Sequence, residues 1–101
     1  MIDSKNIEKI LTERKELHPD DPRVYEKWNS LTEIFSKNEK ETINYLENCP
    51  KEQLEWICEV FEDISEQFKS EKFIISLELL DKKYPDLNLG VDIHYAKKWI
   101  E

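Results

Sequence analysis

Glycine is almost missing from this chain, occurring once in 101 residues. Loops that cradle phosphate need glycine where the backbone approaches a ligand or takes a positive φ, and no GxGxxG or GxxxxGK stretch is present. GxSxG and HExxH are absent as well, so neither a hydrolase elbow nor a zincin helix can be read. Proline occurs four times and no apolar run approaches the roughly 18 residues of a membrane span. The start, Met-Ile-Asp-Ser-Lys-Asn, has no apolar segment of the signal-peptide kind, and the expectation is a cytoplasmic protein without membrane contact.

Only two histidines and two cysteines occur. Neither His18 nor His94 has a second His or Cys at ligand spacing, so no metal site and no cofactor is expected. His18 is expected to cap carbonyls at a helix end, and His94 to lie partly exposed. Cys49 and Cys58 stand nine residues apart, about 13 Å along a helix, which is too far for a disulfide. Cys58 reads as an inert core thiol, whereas Cys49, near a helix N-terminus, could have a lowered pKa. With no base beside it, no enzyme activity is expected.

What is abundant is charge, at 38% of residues, together with 39% hydrophobic residues that include three Trp, four Tyr and four Phe. That is enough apolar surface to offset the entropy of ordering one domain spanning 1–101, and the composition favours helices. Asp3 or Ser4 caps a first helix with Ile7, Ile10, Leu11 and Leu17 at helical spacing, stopped by Pro19. Asp21-Pro22 opens a second, with Val24, Tyr25, Trp28, Leu31, Ile34 and Phe35 on one stripe. Asn38 and Glu41 form a capping box for a short third helix with Ile43, Tyr45 and Leu46.

Pro50 then opens the longest helix, whose apolar side is Leu54, Ile57, Val60, Phe61, Ile64 and Phe68. Ser70 caps a fifth carrying Phe73, Ile74, Leu77 and Leu80 and ending in Lys82-Lys83. After a loop over 86–90 that docks Leu87 and Leu89, a sixth helix with Val91, Ile93, Tyr95, Ala96, Trp99 and Ile100 runs to the end. Short loops make neighbours antiparallel, so the predicted architecture is all-α: about six helices as three antiparallel hairpins, in a compact bundle or a short HEAT-like stack.

The net charge of −8 is unevenly placed. Residues 1–38 carry eight acids against seven bases, residues 39–66 nine against two, and residues 67–101 six against six. On an ideal helix Glu52, Glu55, Glu59, Glu62, Asp63 and Glu66 fall within roughly 100° of arc. Like charges four residues apart cost a helix a few tenths of a kcal/mol each, so stability alone does not select this stripe. It is either a solvated outer face or a surface that steers a basic protein partner. Trp56, between the acidic arc and the apolar face, and Tyr45 on the preceding helix are either apolar anchors for such a partner or packing residues. Scattered lysines on an acidic chain argue against direct nucleic-acid binding.

Asn48-Cys49-Pro50 with LEWICEVFEDISEQF (54–68), the Ser-Glu-Lys-Phe start at 70, LELLDKKYPDLNL (77–89) and VDIHYAKKWI (91–100) resembles small acidic bacterial immunity proteins. These are encoded beside polymorphic or contact-dependent growth-inhibition toxins. The resemblance covers the C-terminal half and is one of pattern. It implies a non-enzymatic inhibitor that binds a cognate toxin domain, often a basic nuclease; apart from the resemblance, the chain is expected to be a monomer. On our own assignment Glu55, Glu59, Glu62, Asp63 and Glu66 would stand in for phosphates toward the toxin's lysines and arginines, and a Glu59→Lys plus Asp63→Lys change would abolish protection without unfolding. Two other classes fit the same sequence: a helical adaptor with a peptide groove, and a DNA-mimic inhibitor of a nucleic-acid-binding protein.

Overall fold

The computed structural model describes residues 2–101; Met1, which begins the N-terminus expected to lack a leader, lies outside them. Helices form where the capping chemistry places them. The Asp3 carboxylate accepts the Asn6 N–H at 3.1 Å and starts α1, Ser4–Glu16. Asp21 accepts the Arg23 N–H at 2.9 Å ahead of α2, Arg23–Phe35. Asn38 accepts from Glu41 at 2.9 Å to open α3, Glu39–Asn48, and Ser70 accepts from Phe73 at 3.4 Å to open α6, Glu71–Lys83.

The predicted longest helix is present but interrupted. Residues Lys51–Ile57 form α4, Cys58–Val60 tighten into a 3-10 turn, and Phe61–Phe68 form α5. A 3-10 turn advances about 120° per residue against about 100° in an α-helix, so carboxylates on the two sides of the turn do not line up as on one ideal rod. After a second 3-10 turn at Pro85–Leu87, α7 runs from Gly90 to Lys97. It is shorter than predicted: residues 98–100 close with N–H to i−3 carbonyl bonds.

Among the described residues the chain is all-α, with six helical units if α4, its turn and α5 are counted as one. The first hairpin, α1 with α2, and the last, α6 with α7, form as expected from their short loops. The middle unit differs: α3 packs chiefly on α6, while the α4–α5 rod lies against α1, α2, α6 and α7. Contacts between elements far apart in sequence make this a bundle around a central rod, of 32 × 29 × 24 Å, and not a sequential stack.

The core follows the apolar stripes. Ile7, Leu31, Phe35, Leu46, Leu54, Ile57, Val60, Phe61, Ile64, Phe73, Leu77 and Leu89 are all buried. Three hydroxyl side chains are buried with partners: Thr42 donates to the Phe35 carbonyl, Ser76 to Phe73, and Ser65 to Ala96 at 2.7 Å, which ties α5 to α7. Four of the apolar residues assigned to the predicted helices face outward instead. Tyr25 stands exposed, its ring in a T-shaped contact with Trp28 at 5.2 Å, and Val91, Tyr95 and Trp99 point away from the core. Among the described residues no helix is long and apolar enough to cross a membrane.

Candidate functional site: the acidic rod and its aromatic border

The six carboxylates of the predicted stripe separate into different roles. Glu59, on the 3-10 turn, is turned toward α1 and α2. Arg14 grips it with two hydrogen bonds, Nε to Oε1 at 2.8 Å and Nη2 to Oε2 at 2.7 Å, and the Trp28 indole adds Nε1–H to Oε1 at 3.0 Å. The Arg14 guanidinium also lies 5.0 Å from the centre of the Trp56 ring. With the Arg14 side chain 5% exposed and that of Glu59 25%, this is an internal ion pair flanked by two indoles. Trp56 therefore packs, and Glu59 is a structural acid whose reversal to lysine would leave Arg14 facing a like charge.

Tyr45 packs too. Its hydroxyl donates to Gln53 at 2.6 Å, its ring meets Phe35 at 5.7 Å, and burial, the larger cause, with the Cys49 thiol pushes its pKa up to about 12. The same physics acts on the thiols. Burial pushes Cys49 up to about 11, opposite to the lowering expected from a helix N-terminus, because its sulfur is packed into the core above Leu46. Cys58 is pushed to about 12 by burial and then by the carboxylate of Asp92. His18 also differs from expectation: its Nδ1 accepts the Asp20 N–H at 3.1 Å instead of the ring capping carbonyls.

The remaining stripe residues stay at the surface. Glu52, Glu55, Glu62 and Asp63 are exposed and Glu66 is half-buried, and among the described residues none of the five has an ion pair with a cation. The Asp63 carboxyl is raised from its ordinary value by partial burial first and then by the neighbouring charges of Glu62 and Glu66. Asp92 of α7 extends the same negative region, its pKa raised by burial and by Glu59 against a Cys58 hydrogen bond that lowers it.

Alongside α5 the apolar residues assigned to the sixth helix divide into two rows. Over α7 and the residues flanking it Leu89, Ile93 and Ala96 are buried, while Val91, Tyr95 and, past the helix end, Trp99 form a second apolar row that is 65%, 45% and 36% exposed. The Trp99 Nε1–H points at Glu62 Oε2, 3.4 Å away, which sets the end of this row against the acids of α5. The signal was present in the sequence: positions 91, 95 and 99 repeat every four residues in parallel with 89, 93 and 96. A helix apolar on two sides either is fully buried or offers one side to something else.

Among the described residues no group of three or more His, Cys, Asp or Glu side chains could hold a metal. A depression of about 380 Å³ beside α2 is lined by Asn29, Thr32, Glu33, Ser36, Lys37 and Gln67, with no thiol or imidazole. No protein-family model, no curated protein and no solved structure matches the chain.

Proposed function

We propose that this chain is a non-enzymatic binding protein that captures and neutralises a basic protein, in the manner of an immunity protein acting on a toxin domain. One observation carries the reading: unpaired carboxylates on α5 (Glu62, Asp63, Glu66) border an exposed apolar row on α7 (Val91, Tyr95, Trp99). Uncompensated charge steers a partner and raises its association rate, while rings that can be desolvated supply the affinity. Glu52 and Glu55 on α4 and Asp92 on α7 enlarge the negative field. The partner is a protein with clustered Lys and Arg, and a nuclease or other nucleic-acid-binding enzyme has that chemistry. In that case these carboxylates stand in for phosphates, and the DNA-mimic alternative becomes a variant of the same reading.

A second reading has its own observation. Ile75 and Leu79, one turn apart on α6, are more than half exposed in a segment of balanced charge. An adaptor that docks an apolar helix would use that face, and its binding would be insensitive to salt.

The test is affinity capture from the native lysate at low and at high salt, using the wild type and Glu62→Lys/Asp63→Lys, with retained proteins identified by mass spectrometry. The reading expects a basic protein held by the wild type at low salt, lost with the charge reversal, and inhibited when this chain is added to it. An identical set of proteins on both baits removes the acidic face as the interface.

A further inference from the structure

Inside and at the surface a carboxylate accepts an indole N–H, and only the inner one also has an arginine and a second indole on which that arginine lies. Inside, a carboxylate (Glu59) accepts an indole N–H from Trp28, binds an arginine through both oxygens, and the arginine lies on a second indole, Trp56. One helical turn further along, Glu62 accepts the indole N–H of Trp99, but its Oε1 has no partner among the described residues. No cation lies over the Trp99 ring either: the described cation contacts with rings fall on Trp56, Tyr84 and Tyr95. Asp63 and Glu66 crowd Glu62 from its own helix, and Lys98 is engaged over the Tyr95 ring at 4.7 Å.

We infer that Trp99 and Glu62 are the receiving half of an arginine site, and that the basic partner inserts an arginine there, paired with Glu62 and stacked on Trp99. This rests on the reading of the acidic face as a binding surface and names the side chain it selects. Arginine is favoured over lysine because its planar guanidinium can bind a carboxylate through two N–H groups while lying flat on an indole, which a compact ammonium cannot do. The apolar row Tyr95 and Val91 continues from Trp99 and would cover the arginine's methylene stem or its neighbours.

The experiment is an NMR titration of the intact protein with hexa-arginine and, separately, hexa-lysine at low salt, following the three indole Nε1–H resonances. The Trp99 signal is assigned by its loss in Trp99→Phe. The expected result is a saturable shift of the Trp99 resonance, tighter with hexa-arginine than with hexa-lysine by about two- to fivefold. That preference should vanish in Trp99→Ala, and hexa-arginine affinity should fall in Glu62→Gln, while the Trp28 and Trp56 resonances stay in place to show an intact fold. Equal affinity for both peptides, or a preference that survives Trp99→Ala, overturns the arginine site while leaving the acidic face as a binding surface. Absence of saturable binding by either peptide overturns both.

Discussion

At the scale of single residues, Glu59 decides how the charge of this protein is to be understood. Its carboxylate is part of the packing between α1, α2 and the central rod, held by Arg14 and Trp28. Removing one member of a buried pair strands the other. Glu59→Ala should therefore destabilise the fold by about 3 kcal/mol, near the low end for a broken buried pair because Glu59 itself is partly exposed. Arg14→Ala should cost less, since the stranded Glu59 can turn toward water and the stranded Arg14 cannot. Urea unfolding of the two variants checks the order. The buried protons give a second prediction. Cys49, Cys58 and Tyr45 all titrate higher folded than unfolded, at about 11, 12 and 12 against ordinary values of 9.0, 9.0 and 10.0. Their contribution to stability is then fully present below about pH 9, and is lost as pH rises from 9 toward 12, because the unfolded chain releases its protons first. Unfolding midpoints measured from pH 8 to 11 should fall accordingly. A disulfide-exchange reagent at pH 8 should label both thiols slowly until urea is added.

At the scale of elements, the helices were legible because each has a local cause. Asp3, Asp21, Asn38 and Ser70 cap where the sequence places them, and the stripes of Leu54, Ile57, Phe61 and Ile64 become the core. What was not legible depends on neighbours. The 3-10 turn at Cys58–Val60 breaks a rod that reads as one helix, since no Gly or Pro marks it. Burial of Val60 and the grip of Arg14 on Glu59 accompany the break. The α3 helix left its sequence neighbour for α6, a choice that short loops do not encode. The end of α5 carries a visible conflict: Lys69 adopts the left-handed conformation, φ 47°, where the α5 helix stops and glycine would be at ease. Replacing a non-glycine residue there relieves steric cost, so Lys69→Gly should raise stability by up to about 1 kcal/mol in thermal or urea unfolding. No change would mean that the lysine side chain has an offsetting contact.

At the scale of the whole molecule, the candidate site was half legible. The excess of acids in residues 39–66 was countable, and Glu52, Glu55, Glu62, Asp63 and Glu66 are at the surface. Trp56 and Tyr45, open in the sequence between anchoring a partner and packing, are half-buried against the core, Trp56 beside Arg14 and Tyr45 against Phe35, contacts that sequence spacing does not encode. The ring that does border the acids is Trp99, brought there by the packing of α7 on α5. On the proposed reading the −8 charge is a field with an aromatic edge that would accelerate encounter with a basic partner, and it is screened within about 8 Å at physiological salt. The most direct test is the association rate of the purified protein with its captured partner as a function of ionic strength, for the wild type and Glu62→Lys/Asp63→Lys. The account predicts a rate that falls at least tenfold from low to high salt in the wild type, and is slow and nearly flat in the variant. Equal rates for the two proteins, with the same salt dependence, would contradict it.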